Sequence, residues 1–177
     1  MTETSKKLEK TIRDVLDFPV KGIVFKDITP VLQDVSLFNE VIDDLANKFK
    51  DYKIDKIAGI ESRGFLFGMP LALKMGVPFV PVRKKGKLPA ETLSVTYKLE
   101  YGEASIEIHK DAVKSGERVL ILDDLLATGG TTNAAIELIE KLDGKPVVAA
   151  FVVELGFLSG RNNISNRNIE VFSILKY

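Results

Sequence analysis

The sequence predicts an α/β fold, a twisted and mainly parallel sheet flanked by helices, as a single domain over residues 1–177. Three observations carry this. Apolar runs at 119–122 and 146–153 read as strands buried on both faces, the mark of a parallel sheet. Segments of helical period alternate with such strands, as βαβ units require. Turns with glycine (Glu61-Ser-Arg-Gly64 and Ala127-Thr-Gly-Gly-Thr131) stand where strands hand over to helices.

In chain order, Leu8, Ile12, Val15 and Leu16 are spaced for a helix over 8–16, ended by Phe18-Pro19 because proline disfavours helical geometry in the residue before it. Residues 18–30 read as loop-rich, with Gly22 and two prolines. Ser36 is the expected N-cap of a helix to about Lys50, with Leu37, Phe38, Val41, Ile42, Leu45 and Phe49 on one face. A strand over 54–60, the 61–64 turn, a helix over 65–74 capped by Gly76, and a strand over 77–82 form a first βαβ unit. From 92 to 109 the period becomes two: Leu93, Val95, Tyr97, Leu99 and Tyr101 alternate, then Ile106 and Ile108, with Gly102 between. That predicts an antiparallel ribbon. A short helix over 110–114 precedes the 119–122 strand. A helix from Thr131 buries Ala134, Ala135, Leu138, Ile139 and Leu142 and ends before Gly144; the strand at 146–153 completes a second βαβ unit, and 169–174 reads as a last strand.

Composition bounds the function. Lysine plus arginine equal aspartate plus glutamate at 25 each, so the chain lacks the electrostatic footprint of a nucleic-acid or anionic-membrane partner. Without cysteine, disulfides and thiolate metal sites are excluded, and the lone His109 excludes a histidine-rich metal centre. A polar N-terminus and no apolar run near ~20 residues lead to the expectation of a cytoplasmic protein.

The chemistry concentrates at 119–132, Val-Leu-Ile-Leu-Asp-Asp-Leu-Leu-Ala-Thr-Gly-Gly-Thr-Thr. Ligands of open parallel sheets gather beyond the carboxyl ends of strands, where Asp123 and Asp124 fall. Ala127, Thr128, Gly129, Gly130 and Thr131 lead into a helix N-terminus, whose free amides suit a phosphate. Carboxylates repel phosphate, so the acidic pair suits sugar hydroxyls. A phosphorylated ribose is the implied ligand. Neither a Walker loop nor G-x-G-x-x-G occurs. Arg63, at the end of a neighbouring strand, is placed to offer a forked hydrogen-bond pair to a second phosphate.

This segment resembles the phosphoribosyl-pyrophosphate motif of the type I phosphoribosyltransferases, and the resemblance runs through five segments between about 8 and 174. It implies that fold, with an N-terminal helix and base-binding hood over about 1–35 and a flexible catalytic ribbon over about 83–109. Within the family, Phe18-Pro-Val-Lys-Gly-Ile-Val-Phe-Lys-Asp-Ile-Thr-Pro30 and Val82-Arg-Lys-Lys-Gly-Lys-Leu-Pro89 are similar to the adenine-specific branch. The resemblance places Arg63, Arg83 and Lys87 on pyrophosphate, with Lys84 and Lys85 left open. It puts Phe25 against the purine ring, backbone groups of Val24 and Lys26 on its edge, and Leu158, from Glu154-Leu-Gly-Phe-Leu-Ser-Gly-Arg161, on its other side. Glu100 becomes the acid/base at the purine N7, and Asp123 and Asp124 support the sugar as positive charge develops. The implied reaction moves a 5-phosphoribosyl group from 5-phosphoribosyl-1-pyrophosphate to N9 of adenine, giving AMP and pyrophosphate, with Mg2+ carried mainly by substrate oxygens and water and no dedicated protein cage. A homodimer is also implied. The competing readings are transfer to another base, and a phosphoribosyl-pyrophosphate-sensing regulator of the same fold.

Overall fold

The computed structural model describes residues 2–98, 102–165, 167 and 169–177. Helix α1 (Glu3–Thr11) starts at Thr2, whose hydroxyl accepts the Ser5 amide at 3.1 Å. It stops earlier than the 8–16 spacing predicts. Ile12 is already extended (φ −64°, ψ 129°), and Val15 and Leu16 belong to β1 (Arg13–Leu16). That strand pairs antiparallel with β2 (Val24–Asp27), Leu16 opposite Val24 and Asp14 opposite Lys26. Four apolar residues at helical spacing were outweighed by cross-strand pairing, which β-branched Val15 favours. The 18–30 stretch therefore holds a strand of a hairpin, and then the start of α2 (Thr29–Gln33), with Pro30 in its first turn.

Helix α3 (Val35–Phe49) is capped by Asp34 rather than Ser36: the carboxylate accepts the Leu37 amide at 3.0 Å, and Ser36 already lies within the first turn. The remaining elements are β3 (Lys56–Ile60), α4 (Gly64–Met75), β4 (Phe79–Lys84), β5 (Thr92–Lys98), β6 (Glu103–His109), β7 (Arg118–Leu126), α5 (Gly130–Lys141), β8 (Lys145–Glu154), a 3₁₀ turn at Gly156–Leu158, α6 (Gly160–Ser165) and β9 (Glu170–Lys176). Residues 110–114 form turns instead of the expected helix. Lys110 N donates to Glu91 O and Ala112 N to His109 O, and five residues cannot offset the cost of helix nucleation.

The sheet order is β5-β6-β4-β3-β7-β8-β9. β4, β3, β7, β8 and β9 run parallel, and the β5–β6 ribbon joins antiparallel at the β4 edge. Alternate residues of the apolar strands feed two cores. Ile57, Leu120, Leu122, Val148 and Ala150 pack toward Leu45, Phe49, Phe67 and Leu71 of α3 and α4. Ala58, Ile121, Ala149 and Phe151 pack toward Ala135, Leu138 and Ile139 of α5. Both faces are buried, which is why these strands read as unbroken apolar runs. From β3 the chain winds outward to β4, and from β7 in the opposite direction to β8. Their carboxyl ends thus flank the switch point of the sheet, where a crevice opens. Among the described residues, no helix is long and apolar enough to cross a membrane.

Candidate active site

The end of β7 and the loop after it form the floor of the crevice. Gly129 has φ +84°, a conformation an L side chain rarely adopts, and from it α5 begins with no side-chain cap. Asn133 N is the first amide to reach back, to Gly129 O at 2.9 Å. Those of Gly130, Thr131 and Thr132 lie in the first turn, where helix geometry offers no acceptor. Residues 125–132 and Asp123 line a cavity of about 80 Å³ there, room for roughly two to three waters and on the scale of one phosphate group. Behind the loop, Asn163 Nδ2 donates to Thr128 O at 2.8 Å, and Asn133 Nδ2 to Asn163 O at 3.2 Å.

Asp123 and Asp124 occupy different surroundings. Asp123 lines the cavity and accepts the Asp124 amide at 2.9 Å. Asp124 is only 3% exposed, and its Oδ2 lies 3.0 Å from Arg63 Nε, an ion contact too poorly aligned to count as a hydrogen bond. Burial, and then the Asp124 carboxylate, push the Asp123 carboxyl well above its ordinary range. Burial raises Asp124 also, with the Arg63 guanidinium pulling the other way.

Arg63 reaches this point because the 61–64 turn packs tightly on β7. A Cβ at Gly64 would stand 2.7 Å from Leu122 O and 3.1 Å from Asp123 Cα. The guanidinium also lies 5.6 Å from the Phe25 ring centroid, so one side chain joins the hairpin, the 61–64 turn and the β7 floor.

The basic loop at the end of β4 is held by two carboxylates that its charge pattern does not single out. Glu61 accepts Arg83 Nε at 3.2 Å and the Lys84 amide at 3.0 Å, while Arg83 Nη1 donates to Lys87 O at 2.9 Å. Glu107, 4% exposed, accepts the Lys87 and Leu88 amides at 3.0 Å each. Burial works against both charges, but the Lys84 amide and Arg83 outweigh it for Glu61, and the Leu88, Gly86 and Lys87 amides with Thr92 outweigh it for Glu107, so each carboxyl sits below its ordinary value. The side chains of Lys84, Lys85 and Lys87 are exposed.

The four residues expected around a base divide between two places. Val24, Lys26 and Leu158 line a pocket of about 630 Å³ together with Ile23, Phe157 and Tyr177. Phe25 does not line it; strand alternation turns its ring the other way, toward Arg63 and edge-on to Phe18 at 5.2 Å. The 18–30 sequence shows the composition of this wall but not the hairpin that sends neighbouring side chains to opposite faces.

Residues 31–175 match the model of the Phosphoribosyl transferase domain family. A curated relative from Thermoanaerobacter sp. (strain X514), named adenine phosphoribosyltransferase, is 55% identical over 98% of this chain and 99% of its own length. The crystal structure of adenine phosphoribosyltransferase from Thermoanaerobacter pseudethanolicus superposes with a TM-score of 0.93 at 54% identity, covering 97% of this chain and 99% of that one. The chain belongs to the adenine phosphoribosyltransferase family. The Saccharomyces cerevisiae member, solved in complex with an imino-altritol bisphosphate and adenine, matches at a TM-score of 0.91 and 45% identity over 99% of this chain and all of its own.

Family membership makes the chain a pentosyltransferase of the type I fold and draws attention to the ribbon. Tyr97 of β5 shares a hydrogen bond of 3.0 Å with Thr131 Oγ1, and its ring lies beside Gly130. The ribbon thus touches the start of α5 at the end of the 127–131 loop. Glu100, with Leu99 and Tyr101, lies outside the described residues. His109 ends β6 with its Nε2 buried and without a hydrogen-bond partner among the described residues.

Proposed function

We propose that this chain transfers the 5-phosphoribosyl group of 5-phosphoribosyl-1-pyrophosphate to N9 of adenine, releasing AMP and pyrophosphate in purine salvage. The observation that carries the reading is the convergence of Asp123, Asp124 and Arg63 beside the Ala127–Thr131 loop at the switch point of the sheet. The loop amides take the 5′-phosphate, the acidic pair takes the ribose hydroxyls, and Arg63, Arg83 and Lys87 take pyrophosphate. As the C1′–O bond breaks and N9 attacks with inversion, positive charge grows on the sugar ring, and the buried carboxylates face it from fixed positions. The β1–β2 hairpin acts as the base-binding hood, with the Phe25 ring against the purine, Val24 and Lys26 backbone groups at its edge and Leu158 opposite. The β5–β6 ribbon is the cover that keeps water from the activated sugar. Glu100 on that cover exchanges a proton at N7.

Asp123 at the cavity is a carboxylate donor of the kind magnesium accepts, whereas Asp124 is engaged by Arg63. One such donor fits a cation that keeps most of its ligands from substrate oxygens and water. When bound, magnesium neutralises charge on the leaving pyrophosphate. A cytoplasmic location fits a phosphorylated substrate that does not cross membranes; recovery of the native protein from the cell exterior would contradict it.

Measuring pyrophosphate release with adenine, hypoxanthine, guanine and orotate in parallel tests the substrate assignment. Adenine should give the highest kcat/KM, and a higher value with any other base overturns it. Run on Glu100→Gln, the same assay should show kcat falling by about 10²-fold or more, with little change in KM for the sugar substrate. An unchanged kcat removes Glu100 from the reaction.

The homodimer rests on α4, where Leu66, Met69 and Leu73 form an apolar stripe 44%, 45% and 71% exposed. A second copy would bury such a stripe. Sedimentation should find two chains per particle, and Leu73→Glu should shift the particle toward the mass of one. A parent protein that sediments as a single chain at micromolar concentration refutes the dimer.

A further inference from the structure

Both arginines assigned to pyrophosphate are held by carboxylates of this chain. Arg63 Nε is 3.0 Å from Asp124, and Arg83 presents Nε at 3.2 Å and Nη2 at 3.5 Å to the two oxygens of Glu61. The Arg83 pair is a forked guanidinium–carboxylate contact, the same geometry by which a guanidinium takes a phosphate. One edge of the guanidinium cannot serve both anions. Its remaining amino group is fixed on Lys87 O at 2.9 Å, so rotating away would break the loop contact as well. Glu61 belongs to the same turn as Arg63, and its side chain is 15% exposed. It therefore sits at the pyrophosphate side of the crevice, well shielded from water. Around it, the exposed Lys84, Lys85 and Lys87 carry a cationic surplus that would hold a multiply charged product tightly.

We infer that Glu61 is a positioning residue that stands in for pyrophosphate on Arg83: it gives up the guanidinium to the incoming substrate and takes it back as pyrophosphate leaves. This rests on the assignment of Arg83 to pyrophosphate. Glu61 then lowers product affinity, and does so without touching the ribose or the base.

The test is product inhibition by pyrophosphate in Glu61→Gln, Glu61→Asp and Arg83→Ala, with AMP affinity measured in each to report an intact phosphate loop. Glu61→Gln should bind pyrophosphate roughly five-fold more tightly, the scale of a partly exposed ion pair, with AMP affinity unchanged. Glu61→Asp keeps the charge and should stay near the parent. Arg83→Ala should bind pyrophosphate more weakly. If Arg83→Ala leaves pyrophosphate affinity unaltered, the underlying assignment falls and the inference with it. If Arg83→Ala weakens pyrophosphate but Glu61→Gln leaves it unchanged or weaker, Glu61 only braces Arg83, and the stand-in role alone is overturned.

Discussion

Asp123→Asn combined with Asp124→Asn should lower kcat/KM by roughly 10²–10⁴-fold while the protein melts no lower than the parent at neutral pH. The activity loss follows from removing two charged acceptors, each hydrogen bond to a charged group being worth about 1.5–3 kcal/mol and each 1.36 kcal/mol a factor of ten. The stability effect runs the other way. Both carboxyls have folded-state pKa values raised above the unfolded chain, chiefly by burial and, for Asp123, by its neighbour's charge. A raised acid is held protonated more firmly by the folded state. Its contribution to stability is therefore full below the ordinary carboxylate range and is lost as pH climbs through the folded-state value. Asparagine keeps the shape and has no charge to bury. The melting temperature of Asp123→Asn should accordingly match the parent in acid and exceed it at neutral pH, by 2–4 °C for each roughly 1 kcal/mol relieved in a chain of this size. Arg63 loses its partner in Asp124→Asn, but at 38% exposure water replaces the contact. Near-parental turnover in the double variant would remove the pair from the reaction. A melting point that falls at neutral pH would show that the acidic pair supports the fold rather than straining it.

The same pair shows what a sequence can and cannot disclose. Asp123-Asp124 after an apolar run, followed by Gly-Gly-Thr-Thr, marked the passage from the buried strand β7 into helix α5, because strand burial and the demand for glycine at φ +84° act within a few residues of chain. The sheet was legible for the same local reason. What escaped were contacts made across the fold. Glu61 lay inside a turn read for its arginine, yet its role comes from Arg83, 22 positions away. Glu107 stands between Ile106 and Ile108, and alternation assigns such a residue to solvent; it is buried because the basic loop folds its amides over it. The N-terminal hairpin was hidden because β1 and β2 have four residues each, too few for a period to declare itself against a neighbouring helix. That pairing also sends the Phe25 ring to the opposite face from the Val24 and Lys26 side chains, a division that composition alone does not show.

Gly160→Ala should weaken AMP and the sugar substrate together by about 10²-fold, although the residue touches neither. Gly160 opens α6, directly behind the 127–131 loop, and a Cβ there would fall within the van der Waals shell of Ala127 O and stand 3.0 Å from Leu126 Cδ1. The loop is close to α6 from its own side too: a Cβ on Gly129 would be 2.9 Å from Gly160 O. Two backbones meet here, so the added methyl should push residues 127–129 away from α6. Those residues set the direction of the amides proposed to hold the 5′-phosphate, and a displacement of about 1 Å in a positioned group costs on the order of 10²-fold. Overpacking itself should destabilise by about 1–3 kcal/mol, which leaves a folded protein to assay. Because both AMP and the sugar substrate carry the 5′-phosphate, both affinities should fall by a similar factor, while pyrophosphate, for which Arg63 and Arg83 are the proposed ligands, should be little affected. Asn163→Ala is the graded control. It deletes only the 2.8 Å bond to Thr128 O and should cost about 2- to 10-fold in the same two affinities. Loss of pyrophosphate binding in Gly160→Ala would mean that the whole crevice has shifted, and unchanged AMP affinity would mean that the 127–131 loop does not hold the phosphate.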